Sequence, residues 1–188
     1  MHASTTLSFR PRLIPGLAAS AALALVLALS AVSARADDYG DVNQLLKTGK
    51  YSEALNKADL YLANKPRDPQ MRFLKGVILT DLGRPADATA VLLALTQEYP
   101  ELPEPHNNLA ALYAQQGQYD KARGSLEMAV RINPGYAIAH ENLGDVYARL
   151  AGQSYARALQ LDGASTSANA KLTQVRAMLS PPATATRR

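Results

Sequence analysis

Apolar residues recur every three or four positions through most of the chain after residue 36. In the segment 103–136, one stripe consists of Leu109, Leu112 and Tyr113. A second stripe comprises Tyr119, Ala122, Leu126, Ala129 and Val130. Because residues three and four apart lie on the same face of a helix, these stripes predict amphipathic helices. No stretch of useful length alternates as a half-buried strand would, so the pattern predicts an all-α protein.

Three residue types recur with a period of 34 residues in a single register. A glycine between two helical stretches takes the left-handed backbone that ends a helix and turns the chain. An alanine five residues later is small enough to let two helices approach closely, and a proline ends the second helix. Each unit is therefore predicted to be a helix, a tight turn, a second helix and a stop. The glycines are Gly49, Gly83 and Gly117, the alanines are Ala54, Ala88 and Ala122, and the prolines are Pro66, Pro100 and Pro134.

A 34-residue helix–turn–helix unit with this punctuation resembles the tetratricopeptide repeat family. Regular units are predicted at about 37–68, 69–102 and 103–136, and the second has Pro85 where a turn tyrosine is usual. The resemblance implies an antiparallel helix–turn–helix solenoid, curved into a superhelix, that binds other proteins without catalysis. The third unit carries the family's signature positions best, with Leu109, Ala110, Tyr113, Gly117, Tyr119, Ala122, Ala129 and Pro134.

The fourth unit, 137–162, lacks five residues that correspond to the turn, because Tyr147 and Ala158 are 11 residues apart whereas Tyr113 and Ala129 are 16 apart. Two structures are compatible with this deletion. Either the two helices fuse into one long helix over 137–161, or Gly152 makes an abrupt turn. Fusion is favoured, because an interior glycine costs only about 1 kcal/mol relative to alanine. An apolar ladder also runs through the junction, formed by Leu143, Tyr147, Leu150, Ala158 and Leu161 with Ser154 as its weak member.

The end of the chain is predicted to close the solenoid. A last helix is expected over 165–179, apolar on one face and polar elsewhere, because the ends of a solenoid need such a cap. The tail 180–188 begins with a helix-stopping proline pair and is predicted to be disordered.

The first 36 residues have the three parts of a secretory signal. Arg10 and Arg12 precede an uncharged apolar run over about 13–32, and a small-x-small site ends at Ala36. Cleavage is expected after Ala36, and an uncleaved membrane anchor is the alternative. Either way residues 37–188 are expected beyond the membrane. A periplasmic or secreted protein of a Gram-negative-type bacterium is the resulting hypothesis, and after cleavage no membrane contact is expected.

Composition and charge exclude several function classes. The net charge of +4 comes mostly from the leader, because its three arginines leave 17 basic against 16 acidic residues in the remainder. Charge therefore gives no reason to expect nucleic acid binding. The chain has no cysteine, which removes disulfides, thiolate metal sites and a thiol nucleophile.

Candidate catalytic chemistry is sparse, and we predict neither an enzyme nor a cofactor. No glycine-rich phosphate loop, nucleophile elbow or H-E-x-x-H motif is present. His106 and His140 occupy equivalent places 34 residues apart. A two-histidine metal site is conceivable, but an imidazole that fills an aromatic packing position is the favoured interpretation.

A groove is the candidate functional surface, since the family lines its concave wall with the first helix of each unit. The wall is expected to grade from apolar at its N-terminal end to acidic at its C-terminal end, which suits a peptide or helix with an apolar anchor and a basic end. Alternatively, Tyr39 and Phe73 pack on each other or on the first unit, and the acids are ordinary solvated groups. The basic residues with which some members grip the carboxyl terminus of heat-shock chaperones are missing. The predicted groove residues are Tyr39, Asn43, Phe73, Val77, Asn107, Ala111, Glu141 and Asp145.

The leading functional hypothesis is a non-catalytic scaffold in the cell envelope that holds a protein partner in this groove. Two alternatives remain. The chain could self-associate as a structural protein through its groove or its solenoid ends, or it could bind a metal through the two histidines.

Overall fold

The computed structural model describes residues 38–180, which contain eight helices and no strand. The all-α solenoid predicted from the repeat is confirmed. The predicted leader, 1–36, and most of the predicted tail, 181–188, lie outside the described residues. The helices are α1 (38–47), α2 (Tyr51–Asn64), α3 (Pro69–Asp81), α4 (Pro85–Glu98), α5 (Pro103–Gln115), α6 (Tyr119–Ile132), α7 (Ala137–Leu161) and α8 (Thr166–Met178).

The three repeated glycines end α1, α3 and α5 with a left-handed backbone, at φ angles of 72°, 69° and 72°. At the first turn the Gly49 N–H donates to the Leu46 carbonyl at 3.0 Å, and the Lys50 N–H donates to the Leu45 carbonyl at 2.9 Å. The same two bonds recur at the other two glycines. This arrangement satisfies carbonyls that would otherwise lack a partner at the helix end. The predicted turns are therefore confirmed in position and conformation.

The repeated alanines and prolines also lie where the period predicts. Ala54, Ala88 and Ala122 are fully buried, each with 0 % exposure. The second helices end at Asn64, Glu98 and Ile132, each two residues before a repeat proline. Small buried residues let the two helices of a unit pack closely, so each unit is a compact antiparallel pair.

The core is divided into successive layers along the solenoid. One apolar cluster joins α1, α2 and α3, a second joins α3, α4 and α5, and a third joins α5, α6 and α7. Each helix packs mainly against its neighbours in sequence, and α5 also contacts α7. Stability is therefore a sum of contacts between adjacent elements.

The fourth unit is a single helix, α7, of 25 residues, so the fused alternative is the one that the structure adopts. The ladder through the junction is only partly packed. Leu143 and Leu150 contact the cluster around α6, whereas Tyr147 is 48 % exposed and Leu161 is 75 % exposed. In a regular unit, a second helix would fold back and cover the side of α7 that carries Tyr147. Because the two helices are fused, this side has no such cover within the described residues.

The predicted cap corresponds to α8. Ser165 accepts a hydrogen bond from the Ala168 N–H at 3.3 Å and caps the helix. Ala168 and Leu172 are buried against α7. None of the helices between residues 38 and 180 combines the length and the apolar character that a membrane crossing requires.

The closest approach of two helices gives a test of the packing. A Cβ added to Gly76 of α3 would lie 2.7 Å from Cδ2 of Leu92, a fully buried residue of α4. Gly76→Ala is therefore expected to lower the free energy of unfolding by about 1–3 kcal/mol, measured by urea denaturation.

Gly124→Ala is the matched control, because a Cβ at this exposed helical glycine would meet nothing within 4 Å. That substitution should stabilise the protein by up to about 1 kcal/mol through helix propensity alone. Equal effects of the two substitutions would contradict the close contact between α3 and α4.

Candidate protein-binding cleft

A cleft of about 200 Å³ lies between α5 and α7, the first helix of the third unit and the first half of the fused helix. Residues of α5 and α7 form its two walls, and α6 contributes one side chain from below. The lining residues are Ala110, Ala111, Ala114, Leu126, Asn142, Asp145, Val146 and Arg149.

The cleft exists because its α5 wall is made of alanines. Ala110 is buried at 1 % exposure, while Ala111 and Ala114 keep part of their surface open to solvent. Leu126 and Val146 close the bottom. Three methyl groups in place of larger side chains leave room for an apolar side chain of a ligand.

An amide network orients the polar side of the cleft. The Asn142 Nδ2 donates to Oδ1 of Asn107 at 2.9 Å, and the Asn107 Nδ2 faces Oδ1 of Asn108 at 3.3 Å. Asn107 is 6 % exposed, so this hydrogen bond between α5 and α7 satisfies a buried polar group. It also fixes the position of Asn142 at the cleft.

Two charged residues complete the α7 wall. Asp145 lies three residues after Asn142, and Arg149 lies four residues after Asp145, so the three side chains share one face of α7. The Arg149 guanidinium carbon lies 5.7 Å from the ring centroid of Tyr119, within the range of a cation–π contact. The C-terminal end of the wall therefore carries both signs of charge rather than the acidic character expected from the sequence.

The structure brings together three of the predicted groove residues, because Asn107 supports the cleft and both Ala111 and Asp145 line it. Glu141 is exposed on α7, next to Asn142 in sequence. Asn142 and Arg149 are cleft residues that the sequence prediction does not include. The spacing of Asn142, Asp145 and Arg149 along one helical face is the signal that could have identified them.

The predicted residues of the first two units lie elsewhere. Phe73 is half-buried and packs against the cluster that joins α3, α4 and α5. Asn43 and Val77 are half-buried on α1 and α3. Phe73 therefore packs against buried residues of the second and third units.

Tyr39 belongs to a hydrogen-bonded cluster that ties α1 and α2 to the start of α3. Its hydroxyl donates to Oδ2 of Asp68 at 2.6 Å, and the Tyr61 hydroxyl donates to the same oxygen at 3.0 Å. The other oxygen, Oδ1, accepts the Met71 N–H at 2.9 Å and caps α3. Tyr39 thus packs on the first unit, as the packing alternative predicts.

Burial of Tyr39 and its hydrogen bond to Asp68 raise the pKa of the Tyr39 hydroxyl. For Asp68, burial acts to raise the pKa, but the hydrogen bonds from Tyr39, the Met71 N–H and Tyr61 outweigh it. The net effect holds the pKa of Asp68 below its usual value, so the carboxylate is ionised when it performs this structural role.

The two histidines take equivalent structural places. His140 Nε2 lies 3.0 Å from the Pro134 carbonyl oxygen, whereas His106 Nε2 is buried without a hydrogen-bond partner among the described residues. Burial lowers the pKa of His106, an effect that the Pro100 backbone opposes. His140 therefore packs onto the loop that precedes its own helix, and His106 is a half-buried packing residue. Within residues 38–180, no three His, Cys, Asp or Glu side chains group in a way that could hold a metal ion.

Two family models match the chain. A tetratricopeptide repeat model matches residues 39–103 and a TPR repeat model matches residues 112–150, together more than half of the chain. The chain belongs to the tetratricopeptide repeat family. Domains of this family generally mediate protein–protein interaction rather than catalysis.

A curated relative from Arabidopsis thaliana is the tetratricopeptide repeat domain-containing protein PYG7, chloroplastic. The two are 40 % identical over 47 residues, which are 25 % of this chain and 16 % of the relative. The match thus spans less than a fifth of the relative's length.

Solved structures share the fold at low sequence identity. The first TPR domain of Spaghetti (RPAP3), bound to an HSP90 peptide, has a TM-score of 0.57 and 18 % identity over 60 % of this chain and 89 % of that chain. The Sgt2 TPR domain from Aspergillus fumigatus has a TM-score of 0.60 and 15 % identity over 63 % and 80 %. MamA has a TM-score of 0.55 and 18 % identity over 73 % and 83 %. These similarities establish the fold alone.

The cluster around Asp68 predicts a pH-dependent contribution to stability. Because the folded-state pKa lies below the usual value of 3.8, the contribution is present above that value and is lost as the pH falls through the folded pKa. Asp68→Asn is expected to lower the free energy of unfolding by about 1–2 kcal/mol near neutral pH, through loss of the charged cap and the tyrosine bonds.

Urea denaturation followed by circular dichroism, at neutral pH and again below about pH 3, measures this difference. The gap between wild type and variant should shrink in acid. Asp81→Asn, which alters an exposed carboxylate at the end of α3, serves as the control and should change little. A gap that is the same at both pH values would show that the charge of Asp68 is not responsible.

Proposed function

We propose that this protein is a non-catalytic interaction domain that binds a segment of a protein partner in the cleft between α5 and α7. The observation that carries the proposal is the combination of an alanine wall on α5 with polar groups on the facing wall of α7. The alanine wall leaves room for an apolar side chain, and the α7 wall supplies an amide, a carboxylate and a guanidinium within two turns of the helix.

The chemistry of the cleft describes the ligand. An apolar anchor enters between Ala111 and Ala114, while the Asn142 amide pairs with polar groups of the bound segment. Asp145 attracts a basic residue, and Arg149 attracts an acidic one. A short extended segment or helix with one apolar anchor between charges of both signs suits this arrangement.

We further propose that the domain works after export, in the periplasm or outside the cell. The support is the sequence of residues 1–36, with its basic start, apolar middle and small-x-small site before Asp37. Expression of the full chain in a Gram-negative host tests this. Recovery from the periplasmic fraction with an intact mass that begins at Asp37 supports the proposal, and a cytoplasmic chain that retains residue 1 contradicts it.

Photo-crosslinking in intact cells tests the cleft directly. A photoreactive amino acid in place of Ala111, which is exposed at the cleft, should capture a distinct partner. The same replacement at Ala86, exposed on α4, is the matched control and should not capture it. Equal capture at both sites would place the binding surface elsewhere.

Charge reversal then tests the edge of the cleft. Asp145→Lys is expected to lower the affinity for the captured partner roughly 10-fold, because a basic group of the partner would face a like charge. Glu101→Lys makes the same change of charge in the loop before α5, outside the cleft. Titration of the purified partner should show a loss of affinity in the first variant only.

A further inference from the structure

One face of α7 lacks the covering that its equivalents have in the regular units. Gly76 of α3 is buried against Leu92 of α4, and Ala110 of α5 occupies the equivalent buried place one repeat later. Gly144, one repeat further along, is exposed, and a Cβ there would meet nothing within 4 Å. Within residues 38–180, no second helix therefore covers this side of α7.

The covering element is present in the chain but cannot reach this face. With the five-residue deletion, Ala151, Tyr155 and Ala158 are the counterparts of residues that α6 packs against α5. The segment 151–161 therefore carries the pattern of a second helix. Because it continues α7 without a turn, it points away from the face that it would cover.

The packing of α8 shows that 151–161 takes the place of a second helix. A Cβ on Gly152 would lie 3.3 Å from Cγ1 of Val175, so α8 packs closely against this segment. The Lys171 ammonium lies 5.7 Å from the ring centroid of Tyr155. In the same way α7 packs against α6. The opposite side of the segment, which would face its own first helix, also remains open, with Ser154 and Leu161 exposed.

The open positions form one continuous seam along α7. They alternate at spacings of three and four residues, the pattern with which two long helices pack side by side. All are exposed or half-buried. The seam consists of Ala137, His140, Gly144, Tyr147, Ala151, Ser154, Ala158 and Leu161.

The seam is complementary to itself. The midpoint of the seam is Arg149, which is also the midpoint of α7. If a second α7 runs antiparallel and the two-fold axis passes through this point, each seam residue lies opposite a seam residue of the partner. Tyr147 then faces the partner's Ala151, and Leu161 faces the partner's Ala137. Each large exposed side chain meets a small one, which permits close packing. Of the remaining pairs, His140 meets the partner's Ala158 in the same way, and Gly144 meets the partner's Ser154, where both residues are small.

The register of the regular units gives the same axis independently. Gly76 meets Leu92 within the second unit, and the equivalents of these residues in the fourth unit are Gly144 and Tyr155. If Gly144 meets the partner's Tyr155, the two-fold axis passes within one residue of Arg149. The two registers thus differ by one residue and place the axis at the same turn of α7.

We infer that α7 is a self-association surface whose occupant is the α7 of a second copy of this chain. The two helices pair antiparallel, and the segment 151–161 of each copy serves as the missing second helix of the other. The contact is isologous and closes as a two-fold dimer. A connection too short to fold back is the circumstance that favours such an exchange. This inference goes beyond the proposed binding function, because it uses a different face of α7.

The oligomeric state tests the surface. The full chain should have the mass of a dimer by size-exclusion chromatography with light scattering, with dissociation on dilution. Gly144→Arg should shift it to a monomer, because the long side chain blocks the approach of the second helix. Gly124→Arg is the matched control, an exposed helical glycine of α6 with open space around it, and should leave the dimer intact. A monomer at every wild-type concentration, or a Gly144→Arg variant that remains dimeric, overturns the inference.

A disulfide test distinguishes this register from other dimers. The chain contains no cysteine, so Ala137→Cys with Leu161→Cys introduces the only thiols. Within one α7 these positions are about 36 Å apart, too far to join, whereas in the antiparallel pair they meet across the interface. Mild oxidation should therefore give a covalent dimer.

The control pairs Ala137→Cys with Gln160→Cys, since Gln160 lies on a different face of the same turn. It should crosslink at least 10-fold more slowly. Equal rates in the two variants, or no covalent dimer in the first, contradict the antiparallel pairing. Helicity of all variants by circular dichroism separates these outcomes from misfolding.

Discussion

The close approach of two antiparallel helices within each unit is the constraint on which the rest of the structure depends. It requires a residue with almost no side chain where the helices cross, and a turn that reverses the chain within a few residues. Ala54, Ala88 and Ala122 meet the first condition with no exposed surface, and glycines with positive φ meet the second. Since each layer of core is thin, stability rests on this contact being repeated rather than on one large interior.

The fourth unit shows the effect of removing one part of that contact. Without the turn residues the backbone has no means of reversing, and helix propagation through Gly152 costs little. The chain then extends as one helix, and α8 packs on its second half as a first helix would on a regular second helix. Local order is kept, but the first half of α7 loses its own partner. An irregularity of five residues therefore creates a face that the regular units do not have.

The cleft depends on the same stacking, but across units instead of within them. The Asn142 and Asn107 amides join α7 to α5 at 2.9 Å, and this bond places Asp145 and Arg149 opposite a row of alanines. Nothing in this arrangement needs to react with a ligand. Shape and fixed polar groups suffice for a segment of another protein, in agreement with the family to which the chain belongs.

The sequence by itself determined the period, the helices, the turns at the three glycines and the buried alanines, because these depend on local backbone preference and on spacing along a helix. It also favoured the fusion of the fourth unit. Only the tertiary structure decided which first-helix residues reach the cleft. Tyr39 is held by Asp68 and Phe73 by the cluster around α4, while Arg149 enters the cleft unforeseen. The physical reason is that a repeat assigns a side chain to a face, but neighbours tens of residues away decide whether that face remains open.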